Sequence, residues 1–320
     1  MVIKLKKAFA AIVILMSLFD LFIGNAFAQR PEYLAPDSDK TVVVPVRENI
    51  TMIATGGSNI AVQTGELGMV IVDSGNGEAS VSVLDALKKL SSTPPSYLIN
   101  TSILPSHTSG NGAIHSIGEG VGSGAAILGM PIIGHTNGLT LLATRFADQI
   151  PFDFWPNNAF FGDRKDLFFN GEGIEMLHQP NAITESDIMV YFRKSDVLVT
   201  GSIFDISAYP HFYPDLGGSL QGVIDGLNNI IDICIAEFNQ QGGTLVIPGR
   251  GRLASESDVV EYRDMVTIIR DRVQGMVKEG KTFQEVLAAR PSLEYDAIYG
   301  RDSGEWTTQM FLEAVYNEFQ

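Results

Sequence analysis

Cysteine is nearly missing from this chain, with Cys234 alone among 320 residues. One thiol cannot close an intramolecular disulfide, whatever the redox state of the compartment. It sits in the apolar pattern "IIDICIAEF", where a small buried thiol is inert. Low-complexity tracts and runs of like charge are also missing, which argues against a disordered tail. Charged residues make up 18% of the chain against 45% hydrophobic, the balance of a globular protein with a sizeable core. Positive charge is scarce, since 22 Lys and Arg face 37 Asp and Glu for a formal charge of −15. An acidic surface repels phosphate backbones and anionic lipid, so nucleic acid and membrane are not expected partners.

Long apolar runs are limited to one, within the first 28 residues. Lys4, Lys6 and Lys7 form a basic start, Ala8 to Ile23 is mostly apolar, and Ala26-Phe27-Ala28 is an A-x-A cleavage pattern. Asp20 interrupts the run and leaves it short of the roughly 20 residues that a spanning helix needs. Residues 1–28 therefore read as a signal peptide and the protein as exported, periplasmic or secreted. Losing this +2 segment takes the formal charge from −15 to −17, with no stable membrane insertion expected afterwards.

What is present reads as strands and helices in a repeated order. After a linker at 29–40, "TVVVPV", "ITMIAT", "SNIAVQTG" and "GMVIVDSG" are short, β-branched and split by Gly-rich turns, as in an antiparallel meander. A helix follows at "ASVSVLDALKKLS", stopped before Pro94-Pro95, and then the strand "SYLINT". The second half repeats this order, with strands in "LFFNGEGIEMLHQP" and "DIMVYFRKSDVLVTGSIF", a helix at "SLQGVIDGLNNIIDICIAEF" and a buried strand at "GTLVIPG". Strands then helix, twice over, imply two sheets face to face with helices outside, an α+β fold spanning 41–254. From Ser255 the tail is helical. Ser255 and Asp258 have capping-box spacing, and Val259, Tyr262, Val266, Ile269, Val273 and Met276 form one apolar stripe. Residues 255–320 are expected to pack as a helical extension on the domain's own core.

One stretch carries most of the functional information. Residues 100–111, "NTSILPSHTSGN", resemble the metal loop of the metallo-beta-lactamase superfamily, usually N-T-H-x-H-x-D-H-x-x-G-N. "VIVDSG" at 70–75, "ESDIMVYFRKSDVLVTGSIFD" at 185–205 and "VIPGRGRL" at 246–253 match other landmarks in the right order. The tail "DVVEYRDMVTIIRDRV" is similar to an exported subgroup. The resemblance covers roughly residues 41–320 and implies a four-layer αββα sandwich, with the site loops along one edge of the two sheets.

The family's chemistry needs two zinc ions, held by His and Asp side chains, that turn bound water into hydroxide near neutral pH. Carried over position by position, the resemblance puts Ser102 at the first loop His, Leu104 at the second, Ser106 at the loop Asp and His107 at the third His. Ile183 replaces a later His, Ser202 the bridging Asp and Arg250 the final His. Only His107 of these seven keeps a ligand, so zinc, the family's cofactor, is not expected. The losses are mutually consistent. Removing carboxylates at Ser106 and Ser202 avoids like charges without a counter-ion, Leu104 and Ile183 can fill the volume, and the Arg250 guanidinium opposes a dication.

Other assemblies compete with this reading. His115, His135, His178 and His211 read as hydrogen-bonded structural or surface residues. A new metal site could combine His107 with Asp73, Glu185 or Asp205. Ser202 or Ser102 could approach His107 as a nucleophile, but no third group to orient the histidine is evident in the sequence. "GEGVGSG" at 118–124 lacks phosphate-loop spacing and reads as a flexible loop. The leading expectation is a zinc-free, non-catalytic relative. Its pocket of Ser102, Ser106, His107, Ser202 and Arg250 would take a small anionic ligand or a partner. The alternatives are a hydrolase with a mono-metal or serine-based site, or a structural protein docking through its tail helices.

Overall fold

The polar groups of each strand find partners in two separate ladders, and side-chain alternation decides what lies between them. The computed structural model describes residues 40–55, 57–120, 129–239 and 242–320. The expected signal peptide, the linker up to residue 39 and the part of "GEGVGSG" from 121 onward lie outside the described residues.

The first sheet has seven strands in chain order: β1 (Val42–Arg47), β2 (Ile50–Thr55), β3 (Ser58–Gln63), β4 (Met69–Val72), β5 (Pro95–Ile99), β6 (Ile132–His135) and β7 (Asn158–Phe160). β1 to β4 form the expected antiparallel meander. β4 to β7 pair in parallel, which requires crossovers. Pro45 has no N–H to give, and it sits on the edge strand β1 beside a break in register between Pro45 and Arg47, where a proline does least harm. The second sheet has six strands: β8 (Arg164–Phe169), β9 (Glu172–His178), β10 (Ile188–Phe192), β11 (Val197–Val199), β12 (Leu245–Ile247) and β13 (Ala254–Ser255). These also neighbour in chain order, and β11 and β12 form the parallel pair.

Alternation along each strand sorts the core into three layers. Met52, Ala54, Ala61, Val70, Val72, Ile99 and Ile133 from the first sheet meet Ile174, Val190, Val197, Val199 and Ile247 from the second. The intervening residues Ile53, Ile60, Ile71, Leu98 and Ile132 face helices on the outer side of the first sheet. Met189, Leu198 and Val246 do the same on the outer side of the second. A period of two is what gives each strand two apolar faces. Helices cover both outer faces, so the four layers run αββα.

The first helical layer comprises α1 (Ser80–Leu90), the one-turn α2 (Pro105–Thr108), α3 (Asn111–Ile117) and α4 (Thr136–Arg145). The second begins with α5 (Leu220–Ile233), where Ser219 accepts from the Gly222 N–H as N-cap. α5 ends five residues before the pattern "SLQGVIDGLNNIIDICIAEF" does. Cys234 turns extended at the C-cap and is half-buried, and burial pushes its thiol up to about 12.

The helical extension packs on the second sheet. α6 (Glu256–Lys278), α7 (Phe283–Ala289), α8 (Asp296–Tyr299) and α9 (Thr308–Asn317) follow, and α6 buries Val259, Tyr262, Met265, Val266, Ile269 and Val273. Asp258 accepts the Ser255 N–H at 2.9 Å, and Arg252 closes on the same carboxylate at 2.7 Å. The last helix spans Thr308–Asn317, its start set by Thr307, whose side chain accepts from the Met310 N–H. Among the described residues, no helix is long and apolar enough to cross a membrane.

Candidate functional site

Strand ends on the two sheets bring three distant side chains to one point. Asp73 follows β4, with its N–H donating to Ile99 of β5 at 2.7 Å. Its carboxylate accepts from the Thr101 N–H at 2.7 Å and the Thr101 hydroxyl at 2.6 Å. Asp73 Oδ2 is also 2.7 Å from His107 Nδ1. A carboxylate accepts only, so Nδ1 carries the proton and donates it. The other ring nitrogen, Nε2, is then an acceptor, and it lies 2.6 Å from Ser202 Oγ. Asp73, His107 and Ser202 form a continuous hydrogen-bonded line.

The surroundings fix each member. The His107 carbonyl accepts from the Ser74 N–H at 2.8 Å and from its hydroxyl at 3.0 Å. Ser74 Oγ also bonds Asn111, and the Asn111 and Asn100 amides bond each other reciprocally at 2.9 and 3.0 Å. The Asn-Thr and Gly-Asn ends of the loop are thus locked against the strand that carries Asp73. Ser202 lies in the 3-10 turn Gly201–Ile203. Gly201 has φ +54°, and a Cβ there would fall 2.4 Å from Thr101 Oγ1. Glycine therefore lets the turn approach the loop closely enough for Ser202 to reach His107.

Electrostatics follow from this burial. Desolvation alone would lower the His107 pKa, but the charge and hydrogen bond of Asp73, helped by Asp187, raise it above 6.5. Asp187 precedes β10 and accepts from the Thr184 N–H. Its burial pushes its pKa up to about 7, against the contrary pull of the Thr184 amide, the Ser102 hydroxyl and His107. A buried carboxyl beside a buried imidazole thus holds its proton near neutral pH.

The sequence-expected pocket residues are distributed unequally. Ser102 is buried and faces Asp187. Ser106 is half-buried on α2 and makes no hydrogen bond to the Asp73–His107–Ser202 line. Leu104 packs partly and Ile183 fully into the core on the second sheet's outer face, so apolar atoms fill the space. Arg250 is half-exposed, its Nε donating to the Gly57 carbonyl at 3.0 Å. Arg250 does not stand alone as a charge, because Asp205 Oδ2 is 4.0 Å from its Nε. Burial raises the Asp205 pKa, and Arg250 opposes that rise.

The sequence failed to show the third group that orients His107. That group is Asp73, weighed there only as a metal co-ligand. Its signal was a carboxylate closing the apolar strand "VIVD". Neither Glu185 nor Asp205 bonds His107. His135 stacks on His178 at 3.6 Å and accepts from the Asn137 N–H, while burial and the neighbouring His178 lower its pKa. His211 lies between Tyr213 and Trp306, at 4.3 and 3.9 Å, with burial and Arg250 pushing it down to about 4. None of these histidines joins His107.

A zinc pair does not fit the donors present. Among the described residues, no group of three or more His, Cys, Asp or Glu side chains could hold a metal ion. Tetrahedral zinc needs three or four protein ligands, and the one imidazole nitrogen free of Asp73 faces a serine.

No family model matches the chain, and no curated protein matches it in sequence. Solved structures do match in fold. The stereoselective inverting sec-alkylsulfatase Pisa1 from Pseudomonas sp. superposes with TM-score 0.65 at 13% identity, over 88% of this chain. A double mutant of that enzyme gives 0.67 at 12% identity, also over 88% of this chain. This chain spans only 50% of the length of either sulfatase structure. A metallo-beta-lactamase from Pontibacter korlensis gives 0.55 at 14% identity, over 71% of this chain and 99% of its own. The DIM-1 metallo-beta-lactamase gives 0.54 at 17%, over 73% of this chain and 98% of its own. The chain is a divergent metallo-beta-lactamase-fold protein whose described residues lack the fold's metal-binding cluster.

Proposed function

We propose that the protein binds a small anion, a carboxylate or phosphate, in the pocket where its fold relatives bind metal, and that it is a pseudoenzyme for zinc chemistry. One observation carries this reading: the Arg250 guanidinium, at the position where the resemblance puts the last metal ligand, is half-exposed and held through Nε by the Gly57 carbonyl, with Asp205 4.0 Å away. Its remaining donors suit a planar oxyanion. Ser202 already donates to His107 and Ser102 to Asp187, which leaves the Ser106 hydroxyl as a neutral donor, and the name of the fold relative, an alkylsulfatase, implies an anionic substrate for that enzyme. Against the reading stands Asp205, which screens Arg250 and limits the affinity.

Titration calorimetry with acetate, succinate and inorganic phosphate tests the proposal. Binding should weaken about tenfold in Arg250→Ala, the loss of one charge-assisted hydrogen bond pair. Equal binding by parent and variant, or none by either, rejects it. Elemental analysis after purification in zinc addresses the metal separately, and a stoichiometric ion lost in His107→Ala would reject the zinc-free reading. We also propose export, with the mature protein starting at Gln29. Intact mass of protein recovered outside the cytoplasm checks this, and a chain retaining residues 1–28 there would refute it.

A further inference from the structure

We infer that Ser202 is a nucleophile, with His107 as its general base and Asp73 as the positioning residue, and that the site accepts activated carboxylic esters. Nucleophile and base are 2.6 Å apart, base and orienting carboxylate 2.7 Å, both within the reach that serine activation needs. Asp73 fixes the tautomer by accepting the hydrogen bond from Nδ1–H, so Nε2 points its lone pair at the Ser202 hydroxyl. Thr101 occupies the other carboxylate oxygen and keeps Asp73 from turning away.

Accessibility and space also agree. Ser202 is half-buried while His107 and Asp73 are buried, so the hydroxyl is the exposed end of the line. The neighbouring cavity of about 360 Å³, lined by Leu104, Pro105 and Thr108 with Phe146, Ile150 and Phe154, does not include Ser202, His107 or Arg250, so it offers an ester's hydrocarbon part only an adjacent apolar surface. The charge of Arg250 already acts on His107 and favours a developing oxyanion.

The steps balance. Ser202 Oγ bonds the ester carbonyl carbon as its proton passes to His107 Nε2. The tetrahedral adduct collapses, the carbon–alkoxy bond breaks, and Nε2 returns the proton to the departing alcohol. Water then adds to the acyl carbon and gives a proton to Nε2. Ser202 Oγ leaves, takes that proton back, and the carboxylic acid is released.

The full chain is incubated with p-nitrophenyl acetate and, separately, with a fluorophosphonate probe, and modified peptides are located by tandem mass spectrometry. We expect p-nitrophenol release, label on Ser202, and loss of both in Ser202→Ala, with the exposed Ser116→Ala still labelled. His107→Gln should lower the rate about 10²–10⁴-fold, the range for general-base loss. The parent's rate should rise with pH through the His107 titration, and Asp73→Asn should move that midpoint down. A serine held only as a structural partner would give neither label nor pH profile, so the parent alone decides should a buried variant not fold. Label absent from the parent, or surviving in Ser202→Ala, overturns the inference. Anion binding without label would leave the proposed ligand function standing and sink only the nucleophile, and label without anion binding would do the reverse.

Discussion

Asp73 holds a left-handed backbone at φ +64°, a conformation that Asp tolerates better than most residues. That turn swings its carboxylate back between Thr101 and His107. Gly201, also at positive φ, brings Ser202 from the other sheet. We expect Gly201→Ala to cost about 1–3 kcal/mol by chemical denaturation, from backbone strain and the clash with Thr101. Titration at this site has a defined sign. Asp187 and His107 both hold protons more tightly when folded, Asp187 up to about 7 from 3.8 and His107 above 6.5. The contribution of Asp187 is whole below 3.8 and is lost as pH rises toward 7. That of His107 is whole below 6.5 and is lost above it. Thermal midpoints should therefore fall from pH 5 to pH 8, and Asp187→Asn should flatten the decline between pH 4 and 7, by up to roughly 4 kcal/mol. An unchanged slope would show that Asp187 is ionised throughout.

At the scale of elements, α6 shows how local rules agree with packing. Its stripe at steps of three and four faces the second sheet, and Tyr262 at its centre is fully buried while its hydroxyl donates to the Ala208 carbonyl at 2.9 Å. The start of the helix is set by Asp258, which serves both the Ser255 N–H and Arg252. Asp258→Ala should cost about 1–2 kcal/mol, read as a shift in denaturation midpoint with unchanged slope. These features were legible because caps and stripes depend on neighbours within a turn or two. The end of α5 was not, since "DICIAEF" continues the apolar pattern past Ile233. The Thr244 hydroxyl receives the Ile235 N–H at 2.8 Å, and Ile235 accepts from the Thr244 N–H in return, so a distant segment takes up polar groups that helix would have used.

In the whole molecule, the extension completes the outer core of the second sheet. Phe311 and Val315 of α9 are fully buried against the same cluster as Leu220 and Leu227 of α5. The tail helices thus spend their apolar faces inside the fold, which weakens the reading of them as a docking surface. Phe311→Ala should cost about 3–5 kcal/mol by calorimetry. A chain cut near Leu253 should aggregate in light scattering, because it would expose α5 and the outer face of the second sheet; a stable truncated monomer would contradict this account. The sequence by itself determined the strand periodicities and the caps, since each is read from residue type and short spacing, and it shows which seven side chains stand where the resemblance puts metal ligands. Only the tertiary structure decided that Asp73, His107 and Ser202 meet, because they lie 34 and 95 residues apart and a hydrogen bond is set by ångströms, which chain order does not encode locally.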